Sequence, residues 1–404
     1  MLVPSPMPVA PFLSAVALVA ALGFCLYTYV GYPTLLKLVG SLRRAPRRTA
    51  PPAEWPSISI TIPVHNEAEV IAGTLERILE LDYPAERRQI LVVSDASSDG
   101  TDKIVSGLAD RGVELLRLPE RRGKTAAENA ARAHLRGTII VNTDASVRIA
   151  LQALKPLVAA FADPTVGVAS GRDVSVARVG AEANAGESTY VGYEMWVRDL
   201  ETRVSGIVGA SGCLYAIRAE LHGAPVPGDL SRDFGAALLA RRRGFRAVSV
   251  PEARCFVPRS ASLRQEYRRK VRTMARGLRT MWALRALLNP LPYGLFAWML
   301  FSHKMCRWLV PWAALLAFGS VGVLARDALW ARGVLGAAAG VVALAAAGWW
   351  WPVRGGRSVP RVFALPAYAV SGNVAALHAW LLALSGVGTA VWEPTRRGGT
   401  VETA

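Results

Sequence analysis

An α/β sheet domain held between membrane-spanning helices is the fold class this sequence predicts, and three observations predict it. After Pro51, apolar strand-like runs alternate four times with helix-like stretches, the pattern of a parallel sheet wound with helices on both faces. Four runs carry no charged residue, 1–36, 308–325, 333–353 and 362–392. Each is close to or beyond the roughly 20 residues that cross a bilayer. The strand-like runs also end in acidic or Gly- and Ser-rich turns, where open α/β sheets hold their ligands.

The expected layout is an N-terminal membrane anchor with a basic turn over 1–50, an α/β domain over 51–285, and interfacial and membrane helices over 286–404. In the first part the charges Lys37, Arg43, Arg44, Arg47 and Arg48 follow the apolar run. A cleaved signal has its charge before a short core, so a retained anchor is expected, although Ala15-Val16-Ala17 mimics a cleavage site. Positively charged loops stay in the cytosol. The α/β domain is therefore expected on the cytosolic side of a multi-pass cell-membrane protein.

Pro51, Pro52 and Pro56 form a stiff linker. Ile58, Ile60 and Ile62 alternate with Ser59 and Thr61, a strand with one face in a core. A helix follows with Val70, Ile71, Leu75, Ile78 and Leu79 on one side and Asn66 as its N-cap. The second strand, Leu91-Val92-Val93, stops at Asp95, and its helix is expected over 101–110. A third strand over 113–118 leads through Gly123 and Lys124 into a helix over 126–135. Gly137 ends that helix, and a fourth strand over 138–141 runs into Asp144. Beyond Asp173 the pattern loosens: an amphipathic segment over 190–204, a small-residue turn at 209–212, a strand over 213–217 and a turn over 225–229. A helix starting near Asp233, a strand over 247–250 and a basic helix over 262–288 complete the domain.

The net charge of +17 invites a nucleic-acid partner, but nine basic residues and one acidic one, Glu266, crowd between Arg259 and Arg285 just before the membrane helices. Anionic lipid headgroups hold such a segment at about 1 kcal/mol per charge. No nucleic-acid motif accompanies it. Cys25, Cys213, Cys255 and Cys306 have neither metal-ligand nor redox spacing and read as reduced packing residues. His134, His222 and His378 read as structural, and His303, Lys304, Arg307 and Trp308 as anchors at headgroup level.

Asp95 and Asp144 end strands and Asp233 starts a helix. Taken singly, each has an ordinary structural explanation, a capped strand end or a helix N-cap. Together they converge on one crevice that suits a hard cation and a polyphosphate, since Mg²⁺ takes one or two carboxylates plus substrate phosphates. Lys124 and the basic run around Arg269 and Arg272 supply compensating charge. A GxGxxG after the first strand is absent, so the dinucleotide fingerprint is missing.

The ordered set IPVHNEAEV (62–70), VVSDASSDGT (92–101), GKTAAEN (123–129), NTDAS (142–146), GASGCLYAIR (209–218), SRDFGAALLARRRGFRAVSVPEA (231–253) and YRRKVRTMARG (267–277) resembles the integral-membrane family 2 glycosyltransferases. These share the GT-A fold and include cellulose and hyaluronan synthases. The resemblance implies an inverting, metal-dependent enzyme, using a nucleotide sugar, in most cases a UDP-sugar, and a saccharide or lipid-linked acceptor. It implies that His65, Asn66, Glu67, Asp95 and Lys124 bind the nucleotide, with Asp95 reading the base. Asp144 would hold Mg²⁺ or Mn²⁺ against the diphosphate, and Asp233 would be the catalytic base. Gly209, Ser211, Gly212, Arg232, Arg269 and Arg272 would lie around the diphosphate and acceptor.

The sequence also departs from the family pattern. Ser94 and Ser146 replace Asp, and Arg232 replaces the acidic residue before the base, setting a cation beside the reacting hydroxyl. The QxxRW motif keeps its Arg at Arg272, with Thr273 for Trp; Gln265-x-x-Arg268-Arg269 is a second alignment. Loss of that Trp speaks against long-polymer synthesis. Two alternatives remain beside the main reading, a polyprenyl-phosphate monoglycosyltransferase and a catalytically silent scaffold that binds nucleotide sugar. Sugar, linkage and oligomeric state are not legible in the residues.

Overall fold

The computed structural model describes residues 9–43, 52–176, 185–223, 226–258, 263–351 and 359–386. Arg44, Arg47, Arg48, Pro51, Pro225, Ser262 and the ends of the last two uncharged runs lie outside the described residues.

Helix α1 (Val9–Ser41) is followed by β1 (Ile58–Val64), α2 (Ala68–Leu79), β2 (Arg88–Ser94), α3 (Thr101–Ser106) and β3 (Val113–Arg117). The chain continues through α4 (Lys124–Ala131), β4 (Ile139–Thr143), β5 (Arg148–Ile149), α5 (Leu154–Ala159), β6 (Val166–Val176) and α6 (Ala185–Val204). Next come β7 (Leu214–Arg218), α7 (Arg232–Arg242), β8 (Arg246–Pro258) and α8 (Leu263–Ala283). Three long helices finish the described chain, α9 (Leu295–Leu324), α10 (Leu329–Trp349) and α11 (Arg361–Leu384).

One eight-stranded sheet runs β3-β2-β1-β4-β7-β6-β8-β5. The first four strands are parallel, and β7 is antiparallel to both β4 and β6. Alternation in β1 led us to expect one wet face, yet every residue of the strand is buried. The strand is central and parallel, and such strands are covered on both faces. Its polar residues are satisfied inside: Ser59 Oγ donates to Gln89 Oε1 at 2.6 Å and accepts from Gly137 N at 2.8 Å. Helix α2 closes one face with Ile71, Leu75 and Ile78, all buried at a spacing that puts them on one stripe. Each such side chain contributes about 1.5–3 kcal/mol on leaving water.

Several expected elements shift. The N-cap position of α2 is Glu67; Asn66 lies one residue earlier with φ of 54°, and the Ala68 amide is held by Asp99 Oδ2 from the next loop at 3.0 Å. The 101–110 helix breaks after Ser106, and the 247–250 strand grows to 13 residues by pairing with β6 and β5.

Four helices are long and apolar enough to cross a membrane, α1, α9, α10 and α11, of 33, 30, 21 and 24 residues. Helix α9 begins at Leu295, well before the uncharged run, because 295–307 continues it as unbroken helix. A second core joins these helices to the sheet domain: Tyr32 and Leu36 of α1, Val197 and Leu200 of α6, Phe234 and Leu238 of α7, Met281 of α8, and Phe296 and Met299 of α9.

Candidate active site

Strand β1 is flanked by β2 on one side and β4 on the other, so the chain's connections leave it in opposite directions. The crevice beyond the carboxyl ends of such strands is where ligands of open α/β sheets bind. His65, Asp95 and Asp144 follow β1, β2 and β4 at that edge. Because Thr143 pairs with Leu214 in the antiparallel β4–β7 ladder, the 209–212 turn comes down beside Asp144.

The residues expected to bind the nucleotide are laced together. His65 Nδ1 donates to the Asp95 carbonyl at 2.7 Å, Asn66 Oδ1 accepts from Ser98 N at 2.8 Å, and Glu67 N donates to Thr101 Oγ1 at 2.9 Å. Asp95 is 1% exposed, and its two carboxylate oxygens accept from the amides of Arg122 and Gly123, each at 2.7 Å. It therefore fixes the loop that delivers Lys124, a task the sequence did not announce. Asp99, also unforeseen, ties the same two loops through Ala68 N and Thr101 N at 3.0 Å each. Burial works against the Asp99 charge, but the Thr101 hydroxyl and these amides hold its carboxyl below the ordinary value.

Lys124, the first residue of α4, bonds Asp144 Oδ1, and Glu128 Oε1 lies 4.0 Å from the same ammonium. Burial disfavours the Lys124 charge, but Asp144, Glu128 and Asp233 outweigh it and hold the ammonium above its usual range. Burial pushes the Glu128 carboxyl up, against the pull of Lys124 and Arg232. For a divalent cation, Asp144 offers one carboxylate beside Ser146. Among the described residues, no group of three or more His, Cys, Asp or Glu side chains assembles that could hold a metal. A donor diphosphate would have to complete the shell. One carboxylate plus phosphates is a normal Mg²⁺ arrangement, so the residues fit.

Asp233 is not the N-cap of α7. That position is Ser231, whose hydroxyl donates to Asp233 Oδ1. The other oxygen, Oδ2, lies 2.7 Å from where a Cβ on Gly212 would be, so the turn and the carboxylate touch only because residue 212 is glycine. Gly209 packs in the same way on Phe234 and Lys304. Ser211, expected to face the acceptor, is 2% exposed; its hydroxyl donates to Asp173 at 2.7 Å and its amide to Ser170 Oγ at 2.8 Å. It shapes the turn from inside.

Arg232 also departs from expectation. It lies buried away from the crevice rather than beside an acceptor hydroxyl, with Nε 3.2 Å from Glu128 Oε2, Nη1 donating to His222 Nε2 at 3.3 Å, and Nη2 donating to Asn129 Oδ1. The helical register of α8 turns Arg269 to Glu266, 2.8 Å away within the helix. Arg276 reaches the crevice edge instead, donating to Thr125 Oγ1 and Leu230 O at 2.6 Å and to Gly228 O at 3.2 Å. Arg272 lies on α8 between the two. The sequence did contain Arg276 in its last motif; only the helical register selects it.

A second polar cluster went unrecognised. His303 is 1% exposed and bridges Glu201 Oε1 at 2.5 Å and Glu194 Oε1 at 3.0 Å. Arg307 and, at 3.3 Å, Lys304 also reach Glu194. Burial raises the Glu194 carboxyl, but the facing His303, Lys304 and Arg307 hold it well below the usual range. The presumed headgroup anchors of α9 thus bind α6 of the sheet domain.

Residues 59–205 match the family model described as Glycosyl transferase family 2. Among curated proteins, the chain is 37% identical over 97 residues to the probable glycosyltransferase YdaM of Bacillus subtilis, covering 23% of either chain. It is 25% identical over 252 residues to an N-acetylglucosaminyltransferase of Rhizobium sp. N33, covering 56% of this chain and 55% of that one. The chain thus spans about half the length, or less, of these two relatives. Among solved structures it resembles the mannosyltransferase PcManGT of Pyrobaculum calidifontis in complex with GDP-Man and Mn²⁺, with a TM-score of 0.70 and 25% identity over 93% of this chain and 99% of that one.

Proposed function

We propose that this chain, matched over residues 59–205 by the model described as Glycosyl transferase family 2, is a glycosyltransferase of GT-A fold that transfers one sugar with inversion from a nucleotide sugar to an acceptor presented at a membrane surface. The observation that carries this reading is that Asp144 and Asp233 both act on the Lys124 ammonium, Asp144 as its ion-pair partner and Asp233 from against the glycine turn between α6 and β7. Asp233 takes the proton of an acceptor hydroxyl. The hydroxyl oxygen forms its bond to the anomeric carbon as the bond from that carbon to the diphosphate oxygen breaks, and the nucleoside diphosphate leaves. A positioned base contributes typically about 10² to 10⁴ in rate.

Mg²⁺ or Mn²⁺, held by Asp144 and the donor's diphosphate, would neutralise charge building on the leaving group. A similar structure solved with a nucleotide sugar and Mn²⁺ supports that assignment. Lys124 and Arg276 line the same edge, and Asp95 acts on the nucleotide by holding the 122–124 loop in place. The donor is a UDP-sugar and the acceptor a saccharide or lipid-linked saccharide. Membrane lipids surround α1, α9, α10 and α11, with the sheet domain on the cytosolic side.

Purified protein in detergent, given radiolabelled UDP- and GDP-sugars with Mn²⁺ and a membrane lipid extract, tests this directly. One donor should be consumed, the product should show the inverted anomer by NMR, and Asp233→Asn should lower turnover by at least about 10². Retention of configuration, or full activity in Asp233→Asn, refutes the assignment.

A further inference from the structure

The crevice contains more ionic structure than a donor site needs. Lys124 and Asp144 are paired at its wall, with side chains 20% and 29% exposed. Glu128, one turn further along α4, is 5% exposed, and its two oxygens are divided: Oε1 lies 4.0 Å from Lys124 and Oε2 lies 3.2 Å from Arg232. Arg232 is fixed in turn by Asn129 and His222. Asp144, Lys124, Glu128 and Arg232 therefore form a line of alternating charge from the crevice into the protein. An ammonium and a divalent cation held together on the Asp144 carboxylate would repel each other at close range.

We propose that Lys124 is the resident counter-ion of Asp144, that a divalent cation displaces it, and that Glu128, clamped by Arg232, receives the displaced ammonium. This rests on the reading of Asp144 as the cation ligand. The start of α4 is held by Asp95, so the ammonium exchanges partners by side-chain rotation alone. It stays in the crevice, where a diphosphate can use it. Arg232 is what makes the exchange reversible. A buried Glu128 facing only Lys124 would hold the ammonium permanently, whereas one shared with Arg232 leaves it free to return to Asp144. Glu128 and Arg232 are positioning residues, and Arg232 gains a task that does not involve the acceptor.

Mn²⁺ alone is the probe, with free ion counted by electron paramagnetic resonance over full-length protein in detergent. Lys124→Met should tighten Mn²⁺ binding by at least about fivefold, because a competing ion pair is gone. Glu128→Gln should weaken it severalfold in the wild-type background and leave it unchanged in the Lys124→Met background. Unchanged or weaker binding by Lys124→Met overturns the proposal. So does a Glu128→Gln effect that persists without Lys124, since Glu128 would then attract the cation directly. If Glu128→Gln fails to fold, Lys124→Met, altered at the half-open crevice wall, decides the matter alone. Asp144→Asn separates the two levels: Mn²⁺ binding that survives it overturns both the exchange and the metal role of Asp144. Tightening by Lys124→Met in a protein that transfers no sugar leaves the exchange standing and removes the enzyme reading.

Discussion

Gly212→Ala tests the geometry of the base with the smallest possible change. The added methyl carbon would sit 2.7 Å from Asp233 Oδ2. Relieving that overlap needs a movement of about half an ångström or more. Gly212 has no left-handed backbone conformation to protect, so alanine is acceptable to the chain itself and the fold should survive. Asp233 cannot turn aside freely, because Ser231 holds its other oxygen. A reacting group misplaced by about 1 Å can lose about 10² in rate. We expect kcat to fall about 10- to 100-fold, or about 1.4–2.7 kcal/mol of barrier, with KM for the donor and the melting temperature little changed. Gly209→Ala, which meets the softer Phe234 and Lys304 side chains, is the control and should cost less. A Gly212→Ala enzyme within twofold of wild-type kcat would show that Asp233 is not held against this turn during the reaction, and the assignment of the base would fall with it.

Arg276→Ala should raise KM for the donor and lower kcat together, since it frees Thr125 and two carbonyls at the crevice edge, whereas Arg269→Ala should leave both within about twofold; equal effects would refute the helical register proposed for α8. Burial, with Arg232 and Arg132 nearby, holds His222 at a pKa of about 3, so the fold keeps it neutral. The unfolded chain takes up a proton below about 6.5, and stability from this group is full above that pH and lost as pH falls toward 3. Its slope is about 1.4 kcal/mol per pH unit. His222→Asn, which still accepts from Arg232, should flatten that part of the denaturation profile. Glu194→Gln removes the carboxylate that Arg198, His303, Lys304 and Arg307 share at the α6–α9 contact and should lower stability by about 3–5 kcal/mol in detergent melts; a change under 1 kcal/mol would show that the cluster is not a joint.

Strands, helices and the acidic residues at their ends were legible because they depend on local pattern: the isoleucines of β1, the stripe of α2, and Asp95 and Asp144 at strand ends. What was not legible depends on partners distant in sequence. Nothing near Arg232 predicts that it turns toward Glu128, because the charge it answers lies 104 positions earlier. Ser211 looked like a crevice residue in a Gly-rich turn, and only Asp173 across the sheet draws it inward. His303, Lys304 and Arg307 sit in apolar sequence, where a headgroup role is the default. Their carboxylate partners lie on α6, in a segment of ordinary soluble character.

These distant pairings bear on how the sheet domain meets the long apolar helices. Gly209, on the turn proposed to face the acceptor, packs on Phe234 and on Lys304, and Lys304 belongs to a helix long and apolar enough to span a bilayer. Phe234, the neighbour of Asp233, meets Trp308 of the same helix edge-on at 6.0 Å, and Trp308 also fills the space above Gly277 of α8. Helix α9 therefore packs against the Gly209 turn and against Phe234 beside Asp233, and α8, which carries Arg276 to Thr125, is pinned against the same helix. A boundary drawn near residue 285 divides the sequence by composition but cuts through one packed core. On the reading proposed above, an acceptor that reaches Asp233 would pass beside α9. Such a path would suit the acceptor proposed above, a hydroxyl held at a membrane surface.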